Sequence, residues 1–275
     1  MLSSDRQKEP IFSVKGLYKR YPHVPAGFRT YSGYEGQKES CVIEVLSAVS
    51  LEIFEGECLI IAGANGSGKT LLMHILAGLL EPTEGEVFFR GKPLKECRDL
   101  LRRSVGLVFE DPDAQILGET IEEDIRFGPE NLKLPEIEII NRLEETLESL
   151  DLKKKRYFPS RHLSGGEKRR LAAAGVLAMG CEVIFMDEPF ANLDWPGVVQ
   201  VLKIIETLKR SGKTIVILTH ELEKVLAFAD RLLILAGGKI RDEGESEAVL
   251  NRLDPAWGVR DPRRFYKSAG DCTWL

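Results

Sequence analysis

The sequence predicts an α/β fold, and three observations support this. The apolar run at 58–62 leads into the glycine-rich stretch 63–70, which opens the helical pattern of 71–76. The apolar run at 182–187 ends in a carboxylate, and the run at 214–218 is followed by a threonine and a histidine. Strands that end in polar side chains are typical of an open α/β sheet, because such a sheet binds ligands at its strand ends.

The glycine-rich stretch has the pattern of a P-loop. Glycines allow backbone N–H groups to face a phosphate chain at a helix N-terminus. Lys69 can reach the outer phosphates, and the Thr70 hydroxyl can ligate Mg²⁺. A purely structural turn is the alternative, but the strand before the stretch and the helix after it favour a nucleotide site. The predicted nucleotide-binding residues of this stretch are Asn65, Gly66, Ser67, Gly68, Lys69, Thr70 and Leu71.

Composition limits the class of protein. The chain has 275 residues, of which 43% are hydrophobic and 29% charged, enough for one large domain or for a domain with a subdomain and a tail. The formal net charge of −5 gives no overall basic field for nucleic acid. We expect the basic runs 153–156 and 168–170 to be solvated faces, and we expect no nucleic-acid partner.

The cysteines and the N-terminus indicate a cytosolic chain. Residues 1–10 contain no apolar stretch of the kind found in a signal peptide, and no run reaches the 18 apolar residues of a membrane span. Any membrane role would therefore act through a partner. The cysteines are odd in number and lack paired zinc-site spacing, which favours reduced thiols; they are Cys41, Cys58, Cys97, Cys181 and Cys272.

The first part of the chain predicts a small antiparallel sheet. Strand-like patterns at 11–18 and 45–53 flank a polar interval, 22–40, that we expect to be a loop. Turns before and after 87–89 add a further strand to this piece. Tyr21 closes the first strand, where its ring can stack on a nucleotide base; the alternative is an ordinary edge-strand residue.

A short buried strand is predicted at 105–109, and the acidic segment 110–115 follows it. The region 119–152 is predicted to be a helical insert whose apolar face packs in the core. The apolar residues at helical spacing are Ile137, Ile140, Leu143, Leu147 and Leu150.

A second glycine loop, 163–167, precedes the helical segment 168–174 and offers a second potential anion site. An ordinary N-cap is the alternative for its Ser-Gly-Gly sequence. Asp187, at a strand end near the P-loop, is expected in the Mg²⁺ shell, and Glu188 can orient or deprotonate an attacking water. A solvated strand end is the alternative for this pair.

The last part of the chain completes the α/β pattern. An amphipathic helix is predicted over 196–212, and the strand at 214–218 delivers His220 to its end. Residues 231–240 are predicted to form a closing hairpin. Residues 246–275 are expected to be a polar tail.

The order of the motifs resembles that of the nucleotide-binding subunit of ATP-binding cassette (ABC) transporters, over about residues 11–245. The motifs are the P-loop, Leu163-Ser164-Gly165-Gly166-Glu167, Met186-Asp187-Glu188-Pro189, Asn192-Leu193-Asp194 and His220. The resemblance implies an ATPase of the P-loop NTPase class, with a RecA-like parallel sheet core, an antiparallel β subdomain and an α-helical signature subdomain at about 111–180. The ATPase domain would span 1–245, and the tail 246–275 would be available for a dimer contact.

The resemblance also implies roles. Two subunits would meet head to tail, so that the signature loop of one contacts the γ-phosphate held by the other. The implied trans-site residues are Leu163, Ser164, Gly165, Gly166 and Glu167, and the D-loop is Asn192, Leu193 and Asp194. The implied ligands are ATP or ADP and Mg²⁺, held by Thr70, Asp187 and Glu110. Tyr21 matches the base-stacking position, Glu188 the catalytic base and His220 the γ-phosphate switch.

Glu110 departs from the family, which usually has glutamine there. A carboxylate can ligate Mg²⁺, or it can face the γ-phosphate and slow hydrolysis. We hypothesise the metal-bound arrangement, in a chain paired with a paralogous ATPase.

Two segments, 111–116 and 127–132, resemble the ATPases of energy-coupling factor (ECF) transporters, which import vitamins and transition-metal ions. In that subfamily the acidic segment forms a short helix that receives the coupling helices of a transmembrane T component, which implies that Asp113 and Gln115 couple to this partner. The implied assembly holds a second ATPase subunit, the T component and a substrate-binding membrane subunit, at the cytoplasmic face of the membrane.

The sequence alone leaves other functions open. Another class of ABC importer would share the same motifs. A soluble ABC ATPase of DNA repair would need long coiled coils, for which the interval between Glu110 and Ser164 is short. A non-hydrolysing interaction protein would not need Lys69, Asp187 and Glu188 together, and a GTPase would need an Asn-Lys-x-Asp motif that the sequence lacks.

Overall fold

Two β-sheets and a set of helices form the part of the chain that the computed structural model describes, residues 9–22 and 42–263. Most of the predicted loop 22–40, Cys41, Cys272 and the end of the tail lie outside these residues. The strands are β1 (Pro10–Pro22), β2 (Val42–Phe54), β3 (Cys58–Ala62), β4 (Glu84–Phe89), β5 (Lys92–Pro93), β6 (Val105–Val108), β7 (Val183–Asp187), β8 (Thr214–Thr219), β9 (Arg231–Ala236) and β10 (Lys239–Gly244). The α-helices are α1 (Lys69–Leu76), α2 (Arg98–Ser104), α3 (Ile121–Asn131), α4 (Glu136–Ser149), α5 (Gly165–Met179), α6 (Trp195–Arg210), α7 (Leu222–Val225) and α8 (Ser246–Asn251).

The larger sheet has the order β10-β9-β3-β8-β7-β6 and is parallel except for the terminal hairpin of β9 and β10. Its central strands β3, β7 and β8 are buried along their whole length, which explains their unbroken apolar sequences. Alternate residues face opposite sides: Ile60 joins one buried cluster, while Leu59 and Ile61 join the other. The predicted α/β fold with a parallel core is therefore confirmed.

The smaller sheet has the order β2-β1-β4-β5, with antiparallel pairs throughout, as the sequence predicts. It covers the same face of the large sheet as α1 and α2, because Phe12 and Phe89 belong to one buried cluster with Phe185 of β7. The ring centroids of Phe12 and Phe185 are 6.0 Å apart.

The opposite face carries α3, α4, α5 and α6. Helix α5 packs directly on β6, because a Cβ at Gly106 would come within 2.1 Å of the Val176 side chain. The predicted core positions Leu143, Leu147 and Leu150 are buried, as expected. At the start of α4 the prediction was wrong: Ile137 is 67% exposed, and Ile139 is buried instead. Ile140, also expected in the core, is 39% exposed.

Part of the expected polar tail belongs to the folded domain. Val249 and Leu250 of α8 are buried, and α8 contacts β9 and β10. These two apolar residues give the short helix a face that packs against the sheet edge. In the described part of the chain, no helix combines the length and apolar character needed to cross a membrane.

Candidate active site

The P-loop joins β3 to α1 at the carboxyl edge of the parallel sheet. Its glycines are required by close contacts: a Cβ at Gly63 would lie 2.3 Å from the Leu235 carbonyl oxygen. Gly68 has φ +103°, and a Cβ there would lie 2.7 Å from the Leu46 side chain. The loop is therefore held between β9 and β2 in a conformation that only glycine adopts without strain.

Lys69 is the first residue of α1 and is 5% exposed. Its ammonium donates to the carbonyl oxygens of Gly63 at 2.7 Å and Ala64 at 3.2 Å, and it lies 3.3 Å from Glu188 Oε1. The lysine charge is thus placed inside the loop that the sequence assigns to phosphate binding.

Thr70 and Asp187 form a pair of oxygen ligands. The Thr70 hydroxyl donates to Asp187 Oδ2 at 2.7 Å, whereas Asp187 Oδ1 is buried without a hydrogen-bond partner among residues 9–22 and 42–263. Burial raises the pKa of Asp187, and the neighbouring charge of Glu188 raises it further, against the Thr70 hydrogen bond. Hard oxygen ligands with an unpaired buried charge fit Mg²⁺, which prefers carboxylate and hydroxyl oxygen.

Glu188 has a left-handed backbone with φ +42°, which costs about 1–3 kcal/mol for a residue other than glycine. Its N–H donates to the Leu218 carbonyl of β8 at 2.8 Å, which holds this conformation. The carboxylate is buried: Oε2 lies 3.0 Å from His220 Nδ1, and Oε1 faces Lys69. A strained, buried carboxylate beside a lysine and a histidine can orient a water molecule or take its proton.

The signature loop starts α5 with a capping box. The Ser164 hydroxyl accepts from the Glu167 N–H at 3.4 Å, and the Glu167 carboxylate accepts from the Ser164 N–H at 2.9 Å. A hydrogen bond from Lys155, at 2.6 Å, lowers the pKa of Glu167 to about 2. The N-cap alternative is thus observed, while Ser164 and Gly165 stay exposed.

Leu163 is buried in the core, and Gly166 lies close to Gln200 of α6. Within the described residues, no hydrogen bond or ion pair joins the signature loop to the P-loop.

The segment after β6 contains the predicted metal ligand and coupling residues. Glu110 is exposed, and Asp111 caps the 3₁₀ turn Pro112–Ala114 by accepting from the Asp113 N–H at 3.0 Å. The Asp113 carboxylate lies 2.5 Å from the Lys168 ammonium of α5 and remains largely exposed.

Gln115 has a different environment from the one expected of a residue that contacts a partner. Its amide nitrogen donates to the carbonyls of Leu107 and Ala172, both at 3.1 Å, and its oxygen accepts from the Phe109 N–H. Both amide hydrogens are used inside the chain. Gln115 therefore fixes the segment between β6 and α5, and Asp113 is the one of the two that is presented outward.

The D-loop lies between β7 and α6. Asp194 caps α6 by accepting from the Gly197 N–H at 2.9 Å, and Asn192 has a left-handed backbone with φ +57°. Leu193 packs against the core, and the next residue after the loop, Trp195, is 76% exposed.

Tyr21 lies near the end of β1, where it pairs with Ile43 of β2. Its side chain is partly exposed, and the Lys19 ammonium lies 5.1 Å from the ring centroid. The same strand β2 contacts Gly68 of the P-loop through Leu46. Base stacking by Tyr21 stays a prediction. Tyr21 lies on β1, and the neighbouring strand β2 is the one that contacts the P-loop.

Arg169 is the site residue that the sequence analysis missed. It belongs to a basic run expected to be solvated, yet it is 6% exposed and donates to the Ala191 carbonyl just before the D-loop. A signal was present in the sequence: the apolar run Leu171-Ala172-Ala173-Ala174 follows the basic residues directly, and these residues are buried along with Arg169.

Comparison with known proteins supports the family that the motifs resemble. The family described as "ABC transporter" matches residues 46–191. The energy-coupling factor transporter ATP-binding protein EcfA of Methanocaldococcus jannaschii is 38% identical over 89% of this chain and 82% of that protein. The cobalt import ATP-binding protein CbiO of Rhodobacter capsulatus is 42% identical over 76% of each chain. The solved structure of cbiO1 from Clostridium perfringens, described as part of the ABC transporter complex cbiONQ, matches with a TM-score of 0.74 and 31% identity over 89% of this chain and 92% of that one.

Proposed function

The chain belongs to the ABC transporter family, as an ATP-binding subunit of the energy-coupling factor type, and we propose that it powers uptake of a vitamin or transition-metal ion by Mg²⁺-dependent ATP hydrolysis. Its family activity is ATP hydrolysis coupled to transport. The observation that carries the proposal is the placement of the buried Glu188 carboxylate between Lys69 and His220, at the strand ends that flank the P-loop.

The P-loop residues would hold the nucleotide. Backbone N–H groups of the loop and Lys69 would bind the phosphates, and the ring of Tyr21 would stack on the base. Thr70 and Asp187 would hold Mg²⁺, with Glu110 as a third ligand. The metal would offset the negative charge that develops on the phosphates.

Glu188 and His220 would carry the chemistry. Glu188 would orient the attacking water and take its proton, and His220 would hold the carboxylate and contact the γ-phosphate. The buried position excludes bulk water from this group, so its interactions with Lys69 and His220 are screened less than at a surface.

The proposed assembly contains two ATPase subunits and membrane partners. Ser164 and Gly165 are exposed at the N-terminus of α5. They would contact a γ-phosphate across a subunit interface. Asp113 would contact the T component. A separate membrane subunit would bind the solute. The ATPase subunits would lie on the cytoplasmic face of the membrane. We also propose an ATPase domain at 1–245, with its helical subdomain at about 111–180, to which α8 of the C-terminal segment adds a packed helix. The rest of that segment, where it is exposed, would be available for subunit contacts.

Two measurements test this function. Phosphate release by the purified chain with Mg²⁺ and ATP should be abolished in Lys69→Met, which removes the phosphate-binding charge but keeps the side chain's length. Purification from membranes should recover the chain with a second ATPase and integral membrane subunits. A chain that releases no phosphate even together with its partner ATPase would be a non-hydrolysing binding protein, and an active chain recovered without membrane subunits would be a non-transport ATPase.

A further inference from the structure

The C-terminal part of the described chain returns to the P-loop. After α8, Asp254 caps the 3₁₀ turn Pro255–Trp257 by accepting from a backbone N–H of the turn at 2.9 Å, and Gly258 ends the turn with φ +71°. A Cβ at Gly258 would lie 3.1 Å from the Cβ of Ala64, the second residue of the glycine-rich stretch 63–70. Carbon atoms pack at about 3.5–4.0 Å, so a side chain at position 258 would force one of the two segments to move.

Residues 254–259, called the C-terminal turn below, are anchored in the folded domain on both sides of Gly258. Val259 is 6% exposed and belongs to the same buried cluster as Ala62 of β3, and the partly buried Trp257 packs against this cluster. The turn also contacts β9. It therefore cannot move away from Ala64 without exposing buried apolar surface to water, which is unfavourable.

Other contacts hold the second half of the P-loop. A Cβ at Gly68 would lie 2.7 Å from the Leu46 side chain of β2. The Gly238 N–H, in the turn between β9 and β10, donates to the Ser67 carbonyl at 3.2 Å. The C-terminal turn contacts the first half of the loop, at Ala64, so it adds a support on a further side of the loop.

Ala64 is connected to the groups of the loop that would bind phosphates. Its carbonyl oxygen accepts from the Ser67 N–H at 3.1 Å and from the Lys69 ammonium at 3.2 Å. A shift of Ala64 would therefore move the backbone turn of the loop and change the position of the lysine charge. Anion binding by such a loop depends on the direction of its N–H groups. Nucleotide affinity should consequently depend on the contacts that fix Ala64.

We propose that the C-terminal turn is a positioning element of the nucleotide site, and that Gly258, by its close approach to Ala64, fixes the P-loop in the conformation that binds phosphates. The inference rests on the ATPase function proposed above. It gives a role to residues beyond 11–245, the range over which the motifs resemble the family. The alternative is that Gly258 only ends the turn, since a left-handed backbone favours glycine in any case.

The test is a double-mutant cycle of Gly258→Ala and Ala64→Gly in the complete chain. Gly212→Ala is the matched control, because Gly212 also has φ +71°, but a Cβ placed there would have no contact within 4 Å beyond its chain neighbours in the described part of the chain. Both substitutions therefore meet similar backbone strain, and only Gly258→Ala presses on the P-loop. Affinity for Mg²⁺-ADP, by titration calorimetry, and the midpoint of thermal unfolding are measured for every variant.

We expect Gly258→Ala to weaken Mg²⁺-ADP binding by at least about threefold, because the added methyl group displaces Ala64. Gly212→Ala should bind like the parent. In the Ala64→Gly background, which removes the opposing methyl group, Gly258→Ala should change the affinity by less than about 1.5-fold. Equal affinities of Gly258→Ala and Gly212→Ala, or the same loss in both backgrounds, would overturn the proposal and leave Gly258 only the role of ending the turn.

A second pair of variants loosens the C-terminal turn instead of pressing it on the loop. Val259→Ala removes apolar contacts that anchor the turn. Val201→Ala is its control, because Val201 of α6 is buried in the same cluster, at 4% exposed against 6% for Val259. Both should lower the thermal midpoint, but only Val259→Ala should weaken Mg²⁺-ADP binding, again by about threefold or more. Equal affinities of these two variants would overturn the positioning role.

Thermal unfolding separates this inference from the proposed function, because it needs no nucleotide. Gly258→Ala should lower the midpoint more than Gly212→Ala does in the parent chain, and this excess should disappear in the Ala64→Gly background. An equal effect of Gly258→Ala in both backgrounds would overturn the contact itself, even in a chain that binds nucleotide. A parent chain that does not bind Mg²⁺-ADP would refute the nucleotide site, whatever the unfolding cycle shows.

Discussion

His220 Nδ1 lies 3.0 Å from Glu188 Oε2, so the residue after β8 holds the carboxylate that follows β7. The two strands are parallel neighbours, and the Glu188 N–H is itself bonded to Leu218 of β8. The histidine and the carboxylate are therefore fixed by adjacent backbones, and neither depends on a flexible loop for its position.

This relationship predicts the behaviour of Glu188→Gln. The amide keeps the shape and can still meet His220, but it cannot take a proton, so turnover should fall by about 100-fold or more while ATP binding persists. ATP should then hold the subunits together as a dimer, which sedimentation with and without Mg²⁺-ATP would detect. Hydrolysis at the parent rate would show that another group is the base.

Ser164→Arg should prevent ATP-driven dimerisation, because a long cation would replace the small exposed hydroxyl that we propose contacts the neighbouring subunit's nucleotide. Nucleotide affinity of the single chain should stay close to the parent value. Ser164→Ala is the control for the lost cap of α5, which is worth about 1 kcal/mol of stability. An ATP-dependent dimer of unchanged strength in Ser164→Arg would contradict the proposed head-to-tail pairing.

Asp113→Ala should weaken assembly with the membrane partner or uncouple transport, while ATPase activity of the isolated chain survives. An ion pair between Asp113 and a cation of the membrane partner would be buried in the assembly, and loss of one partner from a buried ion pair costs about 3–5 kcal/mol. Lys168→Met is the matched control, because it breaks the same intrachain pair and leaves Asp113 in place. Equal effects of the two variants on assembly, measured by co-purification, would assign the role to the intrachain pair.

Glu110→Gln should shift the Mg²⁺ dependence of hydrolysis to higher concentration if the carboxylate ligates the metal, because an amide oxygen carries no charge. A titration of turnover against Mg²⁺ measures this shift. A large increase in turnover at saturating Mg²⁺ would instead indicate that the acid faces the γ-phosphate and keeps this site slow, which would suit a heterodimer with unequal sites.

Glu167 predicts a pH dependence of stability. Its pKa is lowered from 4.5 to about 2 by the Lys155 hydrogen bond, so its stabilisation is complete above pH 4.5 and is lost as pH falls toward 2. Glu167→Gln, which cannot ionise, should be less stable than the parent at neutral pH, and the difference should shrink across this window. Unfolding midpoints over the acidic range measure it, and a constant difference would contradict the assignment.

The sequence predicted the parts of the site that parallel strands position. Lys69, Asp187 and His220 each follow a short apolar run, and strand ends in a parallel sheet meet at one edge. The buried strands could be recognised because their apolar sequences are continuous. These residues could therefore be placed together before their distances were known.

Contacts between distant segments could not be predicted in the same way. Gln115 and Arg169 are long polar side chains whose partners, Ala172 and Ala191, are backbone carbonyls that carry no signal in the sequence. At the start of α4 the buried face was misjudged, because Ile137 and Ile139 are both apolar and only packing against α5 decides which is buried.

The strand order of the large sheet also governs when this site can form during synthesis. Strand β3, which leads into the P-loop, pairs only with β8 and β9 among the described strands, and the ribosome makes both of these long after it. A nascent chain that ends before β9 leaves an edge of β3 open, exposing unpaired backbone groups to other chains. The strand that leads into the P-loop therefore gains both of its neighbours only late in synthesis, and the contacts made earlier are those of local helices and the antiparallel sheet.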